Sequence, residues 1–238
     1  MKQNGSLIFG RNPVFESLNA HRVTKVYLLH DFSDNRILSL IKEQNLSVTY
    51  LNRGQLDNMC DGVHQGCACE IKPYQYVSLE EILHKGKDSK DDIIVLLDGI
   101  NDPQNFGAIL RSCDVFGVTG VIIPKHNEVS LNATVAKTSA GAINYVPVCL
   151  ANNLNNAIKT LKERGYWVVA TDGSGTYNYQ DLKYDFKVAL IIGSEGKGVS
   201  NLVLKNSDYI VKIPQFGHVN SLNASVACGI LLARIKNK

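Results

Sequence analysis

Three segments of this sequence hold more short polar, acidic and glycine residues than a packed sheet needs, and each follows an apolar, strand-like run. The first runs from Asp98 through Asn101, Asp102, Pro103, Gln104 and Asn105 to Arg111. Asn105 falls where a helix N-cap is expected, so capping competes with ligand contact as its role. Arg111 lies six residues further along a helix whose other positions are largely apolar or small, and a half-buried arginine there needs a carboxylate or a phosphate as partner. The second segment is Ile191-Ile192-Gly193-Ser194-Glu195-Gly196-Lys197-Gly198-Val199. Its spacing is neither that of a P-loop nor that of a dinucleotide fingerprint. Glu195 would repel a phosphate, so a cationic or neutral ligand suits this turn, with a plain tight turn as the alternative. The third is Ile213 to Ala227, where a strand stops at Pro214 and a polar loop leads into the last helix. One cap would suffice there, yet Asn220, Ser221, Asn223 and Ser225 are four candidates, and the excess favours ligand contact.

The elements that must position these segments alternate between strands and helices. Ile93–Leu97 is a continuous apolar run, as a strand covered on both faces requires. Helices are expected near residues 105–116, 132–140, 154–163 and 199–205 and from Asn223 onward, with strands at 121–123, 145–150, 166–170, 187–192 and 208–213. This alternation means a mainly parallel α/β sheet, and ligands of such sheets bind at the carboxyl ends of the strands. Ahead of it, residues 1–75 read as a small α/β unit, followed by a polar linker at 76–91 and the larger domain at 92–238.

Composition narrows the class. The 238 residues are 45% hydrophobic and 20% charged, which is ordinary for a chain with a packed core. No run of 18 apolar residues appears and Met1 to Gly10 lacks signal-peptide character, so a cytoplasmic location is expected. The six cysteines lack paired zinc-ligand spacing and read as buried free thiols, with no metal site expected. Net charge is only +3, so any nucleic-acid binding depends on local placement of Arg11, Arg22, Lys25 and Arg53, each of which could equally be solvated surface charge. His64 and Gln65 follow a turn into a strand and read as structural.

Taken together, NFGAILR (105–111), IIGSEGKG (191–198) and IPQFGHVNSLNASVA (213–227) resemble, in order and spacing, the three motifs of the SpoU (TrmH-like) family of RNA ribose 2'-O-methyltransferases. Phe9-Gly10-Arg11-Asn12-Pro13-Val14 and Asp61-Gly62-Val63-His64-Gln65-Gly66 look like the substrate-binding domain of the branch that methylates a 23S ribosomal RNA guanosine. Cys113 stands where a smaller residue is usual. The resemblance implies a C-terminal trefoil knot behind a ribosomal-protein-like N-terminal domain, a homodimer, and S-adenosylmethionine as methyl donor. It implies donor contacts at Thr171, Asp172, Gly173, Gly193, Ser194, Gly196, Ile213, Ser221 and Leu222. It also implies a catalytic group of Asn105, Arg111, Glu195, Ser221 and Asn223, with Glu195 and Asn105 holding Arg111 in place. A tRNA guanosine as target and a non-catalytic RNA-binding factor on the same fold are the alternatives. A nicotinamide-dependent oxidoreductase is disfavoured, because the first strand leads into Asp-Pro-Gln-Asn rather than a glycine fingerprint.

Overall fold

A computed structural model describes residues 6–126, 129–219 and 221–237, arranged as two compact units. The first comprises residues up to Tyr74 together with Leu131–Tyr145. Its sheet has the order β1-β4-β2-β3, with β1 at Ser6–Phe9, β2 at Val23–Leu29, β3 at Val48–Leu51 and β4 at Cys67–Ile71. β4 runs antiparallel to both neighbours, whereas β2 and β3 are parallel. Helices α1 (Arg11–Asn19), α2 (Asn35–Glu43) and α3 (Arg53–Met59) connect the strands. α3 carries a capping box, in which Asn52 accepts from the Gln55 N–H and the Gln55 side chain accepts from the Asn52 N–H.

Residues 131–145 were expected inside the larger domain, yet they belong to this first unit. Their helix α6 (Ala133–Thr138) and a following 3-10 turn pack on it because Tyr145 donates to Glu16 at 2.8 Å and Lys137 lies over the Phe9 ring. A Cβ on Gly141 would lie 2.5 Å from Glu16, so this stretch fits closely against α1.

The second unit holds residues 75–130 and 146–238. Its seven strands are all parallel, in the order β7-β6-β5-β10-β8-β11-β9. They are β5 (Ile93–Asp98), β6 (Gly120–Pro124), β7 (Val148–Ala151), β8 (Tyr166–Thr171), β9 (Tyr177–Asn178), β10 (Lys187–Gly193) and β11 (Tyr209–Lys212). Ile93 to Leu97 and Val188 to Ile192 are almost wholly buried, as expected for central strands covered on both faces. Each such aliphatic side chain contributes roughly 1.5–3 kcal/mol by leaving water. The expected linker is partly structured: α4 (Leu79–Lys85) opens with a Ser78–Glu81 capping box and buries Ile82 and Leu83 in the core beneath β5 and β6.

Buried Asp92 ties the lower ends of three strands together, accepting hydrogen bonds from Thr119 and Tyr166. Burial, reinforced by this carboxylate, pushes the Tyr166 phenol far above its usual range, so it stays a donor. At the opposite, carboxyl ends of β5, β10, β8 and β11 lie the three polar segments.

Candidate active site

Helix α5 (Pro103–Val115) follows β5, and its N-cap is Asp102, which accepts from the Gln104 N–H at 2.9 Å with Pro103 in the first turn. Asn105 was the expected cap; the chain turns helical three residues earlier because Pro103 is preorganised for the first helical position. The Asn105 side chain is thereby released from backbone duty. It donates to Glu195 Oε1 at 3.0 Å and accepts from Asn223 Nδ2 at 2.8 Å. Asn223 Nδ2 also lies 2.5 Å from Glu195 Oε1. Meanwhile its Oδ1 caps α9 (Ala224–Lys236), accepting from the N–H groups of Ser225 and Val226 and from the Ser225 hydroxyl. Residues 105, 195 and 223, distant in sequence, form one connected network around a carboxylate.

Behind this network α5 packs against α9 through two buried thiols, Cys113 and Cys228. Burial, with Cys228 as hydrogen-bond partner, raises the Cys113 thiol well above the usual cysteine range. The unusual Cys113 thus joins the helix bearing Asn105 to the helix capped by Asn223.

The glycine turn is shaped by backbone contact. A Cβ on Gly193 would sit 2.2 Å from the carbonyl carbon of Gly198, and Gly198 has φ +65. Ser194 and Gly198 pair in a one-residue bridge that closes the turn. One side of it faces a cleft between the ends of β8, β10 and β11. Thr171, Asp172, Gly173, Gly193, Ser194, Glu195, Ile213, Ser221 and Leu222 all line this cleft. Gly196 does not. It lines a separate cavity with Asp98 and Lys197 on the other side of the turn, because the bridge between residues 194 and 198 turns it outward. Ile192, Gly198, Val211, Gln215, Ala224 and Ala227 complete the cleft; Ala224 and Ala227 were not anticipated, since no local pattern shows which residues of a helix start face inward. The cleft encloses about 150 Å3, and of the exposed stretch Gln215–Val219 only Gln215 lines it. Asn220 lies outside the described residues.

The charges of the lining decide what the cleft can hold. Asp172 and Glu195 are the ionisable residues in it, and Lys, Arg and His are absent from its lining among the described residues. Asp172 is held by the Ser174 N–H and hydroxyl on one oxygen, and its other oxygen faces Gly198. Two carboxylates beside apolar walls at Ile213 and Leu222 suit a ligand with a positive centre and a flat apolar part.

Arg111 departs from expectation. It is exposed on α5 and makes no hydrogen bond or ion pair with another described residue; Glu195 Oε1 is engaged by Asn105 and Asn223 instead. Six helical steps from Asn105 to Arg111 turn the two side chains about 120° apart, so the arginine points away from the carboxylate network.

The family of the chain follows from comparison with known proteins. The model of the SpoU rRNA methylase family matches residues 92–233, and that of the RNA 2'-O-ribose methyltransferase substrate-binding domain matches residues 7–77. The chain belongs to the SpoU methyltransferase family. A Staphylococcus haemolyticus protein assigned to the TrmH family of tRNA/rRNA methyltransferases is 42% identical over 98% of this chain and 95% of its own. Two solved structures share the fold. The SpoU methyltransferase AviRb of Streptomyces viridochromogenes, in complex with AdoMet, is 22% identical with a TM-score of 0.83, over 97% of this chain and 89% of that one. An AdoMet-bound rRNA methyltransferase of Sinorhizobium meliloti is 21% identical with a TM-score of 0.81, over 99% and 88%. The SpoU match thus covers the second unit from residue 92 onward together with the stretch at 131–145, and the substrate-binding match covers most of the first unit.

Proposed function

We propose that this SpoU-family RNA methyltransferase uses S-adenosylmethionine to methylate a ribose 2'-hydroxyl, and that its target is a guanosine of 23S ribosomal RNA. The observation that carries the cosubstrate is the cleft's charge: two carboxylates and no basic residue in its lining. That wall repels phosphate-bearing cofactors such as NAD and attracts a sulfonium and an ammonium group. S-adenosylmethionine supplies an already activated methyl group, so the chain's own task is to position the hydroxyl and assist loss of its proton. Ile213 and Leu222 offer apolar walls to the adenine, and Glu195, oriented by Asn105 and Asn223, faces the charged end.

Arg111 is free to take an RNA phosphate and to stabilise the developing alkoxide. It is unsuited to act as general base, since a guanidinium stays protonated to about pH 12 and beyond. Ser221, in the cleft wall with Thr171 and Ser194, is a hydroxyl candidate for proton relay or donor contact.

The protein acts as a homodimer in this reading. α5 leaves Val115, one turn beyond Arg111, 72% exposed, and α9 leaves Val226 49% exposed; a second copy would cover such apolar side chains. A cytoplasmic site of action fits an enzyme of ribosomal RNA, and among the described residues no helix is long and apolar enough to cross a membrane.

Support for ribosomal RNA comes from the substrate-binding unit and from the Sinorhizobium likeness that spans both units. The staphylococcal relative's name admits tRNA equally, so a tRNA guanosine is the competing target. Mapping 2'-O-methyl marks in ribosomal and transfer RNA with and without the gene tests both. Loss of one 23S guanosine mark is expected; loss of a tRNA mark alone would overturn the ribosomal assignment. Unchanged marks in both would favour a non-catalytic RNA-binding factor.

A further inference from the structure

The first unit contains a second cavity, of about 730 Å3, built from the Gly62–Gly66 loop, Phe32 and two arginines. We propose that it is a nucleotide subsite, which holds one unstacked nucleotide of the RNA with its base against Phe32 and Arg11 and its phosphate on Arg53.

The loop that forms its floor is held in a costly conformation. Gly62 and Gly66 have positive φ, and so does the non-glycine Gln65, at φ 53. Such backbone strain persists where surrounding contacts enforce it, and it concentrates at binding sites. Here the contacts are specific. Buried His64 accepts from the Gly66 N–H on Nδ1 at 2.9 Å, which leaves its ring proton on Nε2 to meet Asp57 Oδ1 at 2.8 Å. Asp57 belongs to α3, so the ring ties the loop to the helix that begins with Arg53. The Gln65 side chain accepts from the Arg11 N–H at 2.8 Å, fixing the start of α1 on the loop's other side. A Cβ on Gly66 would lie 3.1 Å from the Phe32 ring, so the backbone approaches that ring as closely as glycine permits. His64 and Gln65 are thus structural, and what they build is a preformed concavity.

Its chemistry matches a nucleotide rather than a bare anion. The Arg11 guanidinium lies 5.4 Å from the Phe32 ring centroid, and neither Arg11 nor Arg53 has a carboxylate partner among the described residues. Single-stranded RNA is bound by such pairings of aromatic faces, arginine planes and uncommitted cations. Asp57 and the exposed Asp31 also line the cavity, which disfavours a lone polyanion. A base with N–H donors has use for Asp31, and the size lies within the roughly 300–1,000 Å3 of ligand sites. Arg22 makes a useful contrast. It was an equal candidate for phosphate contact, but its guanidinium donates to the Lys72 and Pro73 carbonyls and stacks 4.3 Å from Tyr74, which occupies it within the unit.

This inference rests on RNA being the substrate, and it can be tested apart from methyl transfer. The full chain is titrated with a fluorescein-labelled single-stranded RNA 12-mer of mixed sequence and with the same sequence as a blunt duplex. Phe32→Leu is expected to weaken single-strand binding about 5-fold or more and to leave duplex binding within twofold. Arg53→Gln, a surface change that leaves the Asn52 cap intact, is expected to reduce the salt-dependence slope by about one unit. Affinity for S-adenosylhomocysteine stays unchanged in both, which also reports a folded second unit. Unaltered single-strand affinity in both variants, or equal losses for strand and duplex, would overturn the subsite. Failure of methyl transfer with these RNA effects intact would count against the proposed function and leave the subsite standing.

Discussion

Replacing Asn105 by Ala separates catalytic positioning from helix capping. The substitution removes a hydrogen bond to the Glu195 carboxylate at 3.0 Å and one from Asn223 at 2.8 Å. Bonds to charged groups contribute about 1.5–3 kcal/mol and neutral ones about 0.5–1.5 kcal/mol. Because Glu195 and Asn223 are solvent-exposed, water replaces part of this, and about 1–2 kcal/mol of positioning energy is the fair estimate. That corresponds to a roughly 5- to 30-fold fall in kcat. Stability should move by no more than about 0.5 kcal/mol, since Asp102 rather than Asn105 caps α5. Asp102→Ala is the converse: about 1 kcal/mol of stability is lost with the cap, which lowers Tm by roughly 2–4 °C in a chain of this size. Methyl transfer from a radiolabelled donor and thermal melts measure both. Affinity for S-adenosylhomocysteine, which has no sulfur charge for Glu195 to face, should survive in Asn105→Ala. If Asn105→Ala melts as low as Asp102→Ala and turns over normally, Asn105 is a cap and the network reasoning fails.

Arg111→Ala should leave Tm within about 1 °C, because the side chain has no partner among the described residues, and should cut methyl transfer while lowering the salt slope of RNA binding by about one; a large drop in Tm would show an unrecognised structural role. Gly193→Ala places a Cβ 2.2 Å from Gly198, so a loss of about 1–3 kcal/mol and sharply weaker cosubstrate binding are expected, and calorimetry showing wild-type affinity would contradict it. All six cysteines are buried, and burial pushes the Cys67 thiol up to about 12; thiolate is therefore scarce at pH 8 and becomes common only near pH 12. Ellman's reagent should find almost no reactive thiol in the native protein at pH 8 and six after denaturation; rapid native labelling would refute the burial.

Much of the fold could be read from local pattern, because central parallel strands must be apolar throughout: Ile93–Leu97 and the 187–192 run are plain examples. Helix α7 (Leu154–Glu163) was legible to the residue. α3 was missed because its seven residues carry just one buried side chain, Leu56, and its signal is the Asn52–Gln55 capping box. β9, two residues long, offers no period to read. The return of residues 131–145 to the first unit depends on Glu16 meeting Tyr145 and Gly141, a long-range contact that no periodicity encodes. The threading of a knot is likewise invisible to local pattern. In the site, residue types pointed to Glu195, Asn105 and Asn223, but the cap assignment and the separation of Arg111 from Glu195 needed the third dimension.

The charge of the cleft is tested most directly by titrating the protein calorimetrically with S-adenosylmethionine, S-adenosylhomocysteine and NADH, in wild type and in Asp172→Asn. Wild type should bind both adenosyl ligands and ignore NADH. Asp172→Asn should weaken the sulfonium ligand more than its neutral-sulfur counterpart, by a few-fold for one partly screened charge pair. Tight NADH binding, or no heat with either adenosyl ligand, would contradict the account.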